Sequence, residues 1–326
     1  MQAIVLVGGE GTRLRPLTET VPKPALTLVD RPFLAYMVEW LAGHGISEVV
    51  LACGFLPGAL REALGEGERE GVRLRYVAEP EPLDTAGAIR FAADALGDSL
   101  GERFLALNGD VLTDLDLSAL LAAHDERGAA ATLGLHAVED SAAFGLVRTD
   151  GQGRVLEFRE KTGEHVPGEI NAGMYVLERA ALDLIPPGVR VSIERDVFPR
   201  MVGAGLHALR LEGYWMDIGT PDRYLQATWD ILEGVVHTRV APTSPGVLIA
   251  AGAELHEDAV VGPRAVVGPG CRVGAEAELR ESVLLERCVV GAGARVEGSI
   301  LSPGVEVAPG ATLADAVVPA NESVPC

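Results

Sequence analysis

The chain has 326 residues, 48% of them hydrophobic, and a formal net charge of −20 at pH 7. A single hydrophobic core stops growing near ~250–300 residues, so two domains are expected. The acidic balance excludes broad electrostatic binding to nucleic acid or anionic lipid, which needs clustered positive charge. An anionic small substrate needs only a local patch, and residues 1–31 supply one, with Arg13, Arg15, Lys23 and Arg31 outnumbering Glu10, Glu19 and Asp30.

The first apolar run, Ala3 to Val7, has no basic segment before it and ends at Gly8-Gly9. That is too short for a signal peptide or a membrane span, and a cytoplasmic protein is expected. Short runs rich in branched residues, Ala3 to Val7, Glu48 to Ala52, Val72 to Val77, Phe104 to Leu107 and Ala130 to Leu135, alternate with segments of helical period. This is the pattern of an α/β domain with a Rossmann-like, mostly parallel sheet covered by helices. Leu34, Met37, Val38 and Leu41 recur at helical spacing before Gly43, a C-terminal stop. Asp114 and Asp116 precede a helical segment opening at Leu117 and read as turn or capping residues. Thr220-Pro221 opens another helix as N-cap and first-turn proline, with Asp222 near the positive dipole end and Gly234 as its stop.

Pro242, Ser244, Pro245 and Gly246 mark a linker, and the periodicity then changes. Ile249, Leu255, Val261, Val267, Val273, Leu279 and Leu285 recur every six residues, and the series resumes at Val290, Val296, Leu301, Val307 and Leu313. Two residues before most of these stand small side chains, among them Ala253, Ala265, Cys271, Ala277, Cys288 and Ala294. Aliphatic inward positions and small corners predict a parallel β-helix of roughly four coils, and the repeat resembles the left-handed β-helix of hexapeptide-repeat proteins. Cys53, Cys271, Cys288 and Cys326 form no Cys-x-x-Cys spacing and are expected as reduced thiols. The expected division is a first domain over 1–235, a linker over 236–246 and the β-helix over 247–326.

Only two of the 27 basic side chains are lysines, Lys23 and Lys161. An ammonium is a compact point charge and a guanidinium a planar fork, so a site that needs one small cation against a phosphate resists replacement by arginine. Lys23 lies between prolines after the glycine-rich run Gly8-Gly9-Glu10-Gly11-Thr12-Arg13, which follows the first strand and reads as a phosphate-cradling loop at the carboxyl edge of the sheet. The run is neither a Walker A loop nor a dinucleotide fingerprint, since Leu14 stands where a third glycine belongs.

The whole segment Gly8 to Thr18, followed by Pro22-Lys23-Pro24, resembles the signature of sugar-1-phosphate nucleotidyltransferases, and later motifs extend the resemblance to about residue 233. The resemblance implies nucleotide contacts from Leu6, Gly8, Gly9, Gly11 and Thr12, and catalytic roles for Arg13 and Lys23. Asp110, in Leu105-Ala-Leu-Asn-Gly-Asp110, and Asp217, in Tyr214-Trp-Met-Asp217, match the positions of the family's metal ligands. Such a pair could share one Mg2+, a hard ion that one or two carboxylates with phosphates and waters can hold. Glu160-Lys161 looks like the family's Glu-Lys pair, the carboxylate accepting from sugar hydroxyls and the ammonium holding the sugar phosphate. Thr162 takes the place of the proline that usually follows. Asn171 and the backbone of Gly145 match sugar-contacting positions; each could equally be a turn or strand end.

The segment Glu79 to Gly87 resembles the corresponding loop of mannose-1-phosphate guanylyltransferases, with nucleotide contacts implied for Glu79, Thr85 and Gly87, although Asp84 stands where glycine is more usual. A carboxylate only accepts, which suits the adjacent N1–H and N2–H donors of guanine, whereas uracil or thymine would favour glutamine. Glu79 is alternatively an exposed loop carboxylate.

The expected reaction is Mg-dependent, in-line nucleotidyl transfer from an NTP, GTP favoured, to a sugar 1-phosphate, mannose 1-phosphate favoured, releasing pyrophosphate. It would run by positioning and charge neutralisation without a general base. Open beside it are uridylyl or thymidylyl transfer to glucose 1-phosphate, guanylyl transfer to a heptose 1-phosphate, a nucleotide-sugar-sensing regulatory subunit, and an acyltransferase built on His256, the only histidine in the repeats. The open end and flat faces of a β-helix predict a homo-oligomer.

Overall fold

Strands form where the continuous apolar runs place them, in a computed structural model that describes every residue except 55, 56 and 162. β1 (Gln2–Leu6), β2 (Glu48–Cys53), β3 (Val72–Ala78) and β4 (Arg103–Asn108) run parallel in the order β4-β1-β2-β3. Ala3, Ile4, Val5 and Val49 to Ala52 are fully buried, as in a parallel sheet whose two faces are both covered; hence the runs are unbroken rather than alternating. In register, Leu6 faces both Ala52 and Asn108, and Ala52 faces Val77. The carboxyl ends of the four strands therefore lie level.

The fifth expected strand keeps the sense of the first four but joins them through a strand of opposite sense. β5 (Ala131–Val138), β6 (Gly145–Thr149), β7 (Val155–Glu160) and β8 (Gly168–Glu178) form a wing in which β8 is antiparallel to β4, β5 and β6, and β6 is antiparallel to β7. Helices are α1 (Phe33–Gly43), α2 (Asp84–Leu96), α3 (Leu117–Arg127) and α4 (Pro221–Leu232), with a shorter one at Pro57–Leu64. Asp116 caps α3 by accepting from Ala119 N at 3.0 Å, the capping role read from its spacing, whereas Asp114 accepts from Tyr214 N at 2.6 Å, a long-range contact rather than a local turn. Thr220 caps α4 through Arg223 N at 3.4 Å.

By packing, the described chain falls into two compact units. One comprises Met1–Gly9 and Met37–Trp215, the other Glu10–Tyr36 and Met216–Cys326. The first holds the large sheet. The second holds the glycine-rich loop beyond Gly9, α4 and the repeats, where Arg264 meets Glu233 just past α4 at 2.7 Å.

From Val247–Ile249 to Ser323–Val324 the chain winds through three all-parallel sheets of five, five and four short strands, the β-helix that the hexapeptide repeat requires. The inward residues of the first sheet are Ile249, Val267, Leu284, Leu301 and Val318. One position differs from the expected series: Leu284, not Leu285, fills the inward row. The first coil spans eighteen residues, Ile249 to Val267, and each later coil seventeen, because a five-residue step recurs on the same side of every later turn. Two strands continue past Leu313, with Val318 and Val324 extending the core. Corner positions Cys271, Ala277, Cys288 and Ala294 are fully buried, and the cysteines are free thiols. The outward row of the first sheet, Leu248, Val266, Val283 and Ile300, is buried as well, so this sheet is covered on both faces.

Leu284→Ala removes a fully buried side chain from the inward row and is expected to destabilise the β-helix by ~2–5 kcal/mol, read as a lower denaturant midpoint. An unchanged midpoint would reject this register.

Candidate functional site

The carboxyl edge of the parallel sheet gathers four of the residues singled out from the sequence. Past Leu6, Val7 N donates to Ala52 O at 3.0 Å and Gly109 N to Leu6 O at 2.9 Å, so the ladder holds the loop bases together before Gly8 and Gly9 turn into solvent. Gly109 has no room for a side chain, since a Cβ there would stand 2.6 Å from Val7 Cγ1; it lets half-buried Asp110 follow β4 directly beside β1. Glu79 N is tied to Cys53 O at 2.9 Å, and the Glu79 carboxylate accepts from Leu83 N at 3.1 Å. Its other oxygen lies 3.8 Å from where a Cβ of Gly8 would be. Half-burial raises this carboxyl above its ordinary range, and the Leu83 N–H partly offsets that. Glu79 is thus a partly desolvated acceptor over Gly8 rather than a loop carboxylate in open solvent.

Asp84, at the start of α2, has φ of +61°, which explains why glycine suits this position. Here the aspartate holds the left-handed turn with its own side chain. One oxygen accepts from Thr85 N at 2.8 Å and the other from Arg195 Nη2 at 2.7 Å. Thr85 Oγ1 donates to Glu194 at 2.7 Å. Gly87 is buried, and a Cβ on it would meet Val189 O at 2.7 Å, so its backbone closes α2 against the 189–191 segment.

In the antiparallel wing, Gly145 pairs with Glu160 across β6 and β7. A Cβ on Gly145 would lie 2.7 Å from Glu160 Oε2, so the glycine makes the space that the carboxylate occupies. Burial raises the Glu160 carboxyl, Lys161 lowers it and Glu194 raises it again. Lys161 follows with φ of +44° and its Nζ 3.4 Å from Glu160 Oε1; its side chain is 67% exposed. Thr162 lies outside the described residues. Asn171 Nδ2 donates to Tyr175 Oη at 2.8 Å, and Asn171 Oδ1 accepts from Gly173 N at 3.0 Å.

The second unit assembles the remaining set. Gly11 has φ of +62° and sits so close to Lys23 and Thr18 that a Cβ would be 3.2 Å from each side chain. Thr18 Oγ1 donates to Gly11 O at 2.8 Å, closing the loop over Thr12, which is exposed in a 3-10 turn with Arg13. Lys23 is buried, its side chain 9% exposed, and its Nζ lies 3.4 Å from Asp217 Oδ1. Arg223 Nη1 donates to the Asp217 carbonyl at 3.1 Å and lies 3.9 Å from its carboxylate. Arg13 lies against Gly219, where a Cβ would be 2.8 Å from Arg13 Nη2. Three cations thus surround the Asp217-Ile218-Gly219 turn, and of the two lysines Lys23 is the buried one. Among the described residues no three His, Cys, Asp or Glu side chains converge as a self-sufficient metal site. The hard oxygen donor of Asp217 fits an ion that takes most of its ligands from phosphates and water.

A family model described as nucleotidyl transferase matches residues 2–234, and one described as GMPPB C-terminal domain matches residues 243–324. The chain belongs to the nucleotidyl transferase family. A mannose-1-phosphate guanylyltransferase of Mycobacterium tuberculosis is 38% identical over 96% of this chain and 83% of that protein. A mannose-1-phosphate guanyltransferase of Schizosaccharomyces pombe is 38% identical over 83% of this chain and 74% of its own length. Among solved structures, HddC from Yersinia pseudotuberculosis complexed with GMP-PN superposes with a TM-score of 0.61 at 26% identity, covering 71% of this chain and 99% of that one. Among the described residues no helix is long and apolar enough to cross a membrane. His256 is 46% exposed and 3.4 Å from Asp258, without further histidines in the repeats of this nucleotidyl transferase.

Sequence reasoning missed Glu194, Tyr175 and Trp215. Trp215 Nε1 donates to Ala172 O at 2.9 Å, and its ring stacks on His136 and meets Phe144 edge-on, bracing the strand ends that carry Asn171 and Gly145. None of the three falls in a recognisable motif, and the contacts Thr85–Glu194 and Trp215–Ala172 join residues distant in the chain. The aromatic-acidic run Tyr214 to Asp217 was the available hint for Trp215.

Asp84→Gly exchanges an exposed ion pair for relief of the left-handed turn, terms of about 1 kcal/mol each, and the melting temperature is expected to move by no more than a few degrees. Asp84→Ala loses the pair and keeps the strain, so it should melt below Asp84→Gly.

Proposed function

We propose that this nucleotidyl transferase joins the guanylyl group of GTP to mannose 1-phosphate, releasing pyrophosphate and forming GDP-mannose. The observation that carries the reading is the Lys23–Asp217 pair: two residues 194 positions apart meet at 3.4 Å with Arg13 and Arg223 beside them. A buried ammonium is costly to desolvate, and an incoming phosphate adds an anionic partner to the Asp217 carboxylate beside it. Lys23 would hold the α-phosphate and Arg13 the departing pyrophosphate. Asp110 and Asp217 are the carboxylates proposed for Mg2+, which when bound supplies charge neutralisation.

In the wing, the Glu160 carboxylate accepts from sugar hydroxyls beside the Gly145 backbone and Asn171, and exposed, long-stemmed Lys161 takes the sugar phosphate. The sugar phosphate is already an anion at neutral pH, so no residue need act as a general base. Guanine is favoured by the acceptor-only carboxylate of Glu79, half-buried above Gly8. The guanylyltransferase relatives support the same base and sugar. Such a reaction suits the cytoplasm, and the β-helix would serve assembly into a homo-oligomer.

The test is pyrophosphate release over a grid of four NTPs and several sugar 1-phosphates. GTP with mannose 1-phosphate is expected to have the highest kcat/KM, and another pair in that place would replace the assignment while leaving the reaction class. Glu79→Gln is expected to shift preference from GTP toward UTP or dTTP by roughly tenfold or more, since an unpaired buried polar group costs ~1–3 kcal/mol. Lys23→Ala should lower kcat at least tenfold and lower the thermal midpoint as well, since Asp217 loses its buried partner; full activity would remove Lys23 from the reaction.

A further inference from the structure

Three hydroxyls converge on one carboxylate in the first compact unit, and each is allowed a single direction of donation. Glu194 lies in a single π-helical turn, Ile193–Val197, capped by Ser192. Its Oε2 is 2.7 Å from Thr85 Oγ1 and 2.9 Å from Ser192 Oγ, and its Oε1 is 3.3 Å from Tyr175 Oη. Thr85 Oγ1 already accepts from Ile193 N at 2.8 Å, and Ser192 Oγ from Arg195 N at 3.2 Å. A hydroxyl has one proton and an ionised carboxylate has none to give, so all three hydroxyls donate to Glu194. Tyr175 Oη then has only lone pairs to offer Asn171, which must present Nδ2 to it. The Gly173 N–H, which can only donate, independently turns Asn171 Oδ1 the other way. The amide is therefore held in one orientation from two sides, by the Gly173 N–H and by a relay that ends on Glu194, and the same carboxylate holds Thr85 in the first turn of α2.

We infer that Glu194 is a positioning residue for both substrates: through Tyr175 it sets the face that Asn171 turns to the sugar phosphate, and through Thr85 it holds the start of the nucleotide-side helix. The inference rests on the proposed sugar-contacting role of Asn171 and adds residues that touch neither substrate. Glu194→Gln would bring an NH2 donor against a hydroxyl that now donates, freeing Tyr175 to rotate and leaving Asn171 held by the Gly173 N–H alone. Tyr175→Phe keeps the ring, which packs on Phe198 with centroids 4.9 Å apart, and deletes only the relay.

The experiment measures KM separately for mannose 1-phosphate and GTP, with melting temperatures, for Asn171→Ala, Tyr175→Phe, Glu194→Gln and the Tyr175→Phe/Glu194→Gln double variant. Tyr175→Phe should raise KM for mannose 1-phosphate roughly tenfold, the loss of one oriented hydrogen bond, and that for GTP less than twofold. Glu194→Gln should raise both, and adding Tyr175→Phe to it should not raise the sugar-phosphate KM further. Equal effects of Tyr175→Phe on the two substrates, no effect on either, or additive effects in the double variant would overturn the inference. Should Glu194→Gln fail to fold, Tyr175→Phe decides alone. If Asn171→Ala leaves the sugar-phosphate KM unchanged, the sugar-site reading itself has failed; if it raises that KM while Tyr175→Phe does not, only the relay has.

Discussion

A buried ammonium cannot stand alone. Removing Lys23 from water carries a penalty of several kcal/mol unless a carboxylate compensates, and Asp217 lies 3.4 Å from its ammonium. That requirement ties the proline-bracketed stretch around Lys23 to the turn at Asp217 and packs Gly11 against the lysine stem. Arg13 on Gly219 and Arg223 on the Asp217 carbonyl gather around the same anchor. The result is a concentrated positive patch in a protein of net charge −20.

The other compact unit is organised by acceptors rather than cations. Glu79, Glu160 and Glu194 are each partly withdrawn from water and each engaged by donors of fixed direction. Carboxylates with spare lone pairs suit ligands rich in N–H and O–H groups, namely a base edge and sugar hydroxyls. Space for them comes from glycines: Gly145 admits the Glu160 carboxylate, and Gly8 leaves the Glu79 side chain room above the loop. Asp84 shows the converse, a non-glycine residue stabilising a left-handed turn by bonding Thr85 N and Arg195.

The β-helix follows a different logic, in which period and corner volume dominate. Seventeen-residue coils keep aliphatic residues stacked on their own kind, and Cys271 and Cys288 fill tight corners as small hydrophobes whose thiols donate to Leu285 O and Ser302 O. A one-residue slip at Leu284 and Leu285 was invisible to simple counting, since both residues are leucine and both are largely buried.

The sequence by itself determined the parallel strands, the capped helices, the hexapeptide repeat and, through the run Gly8 to Lys23, the family. Those features are written in periodicity, caps and contiguous motifs, which depend on neighbours in the chain. Only the tertiary structure decided that Lys23 meets Asp217, that Glu160 rests in the space left by Gly145, and that Glu194 receives Thr85 and Tyr175. The antiparallel sense of the wing and the inward choice of Leu284 were settled in the same way. These depend on residues brought together across tens to hundreds of positions, and a single chain carries no local mark of a hydrogen bond or ion pair that only folding creates.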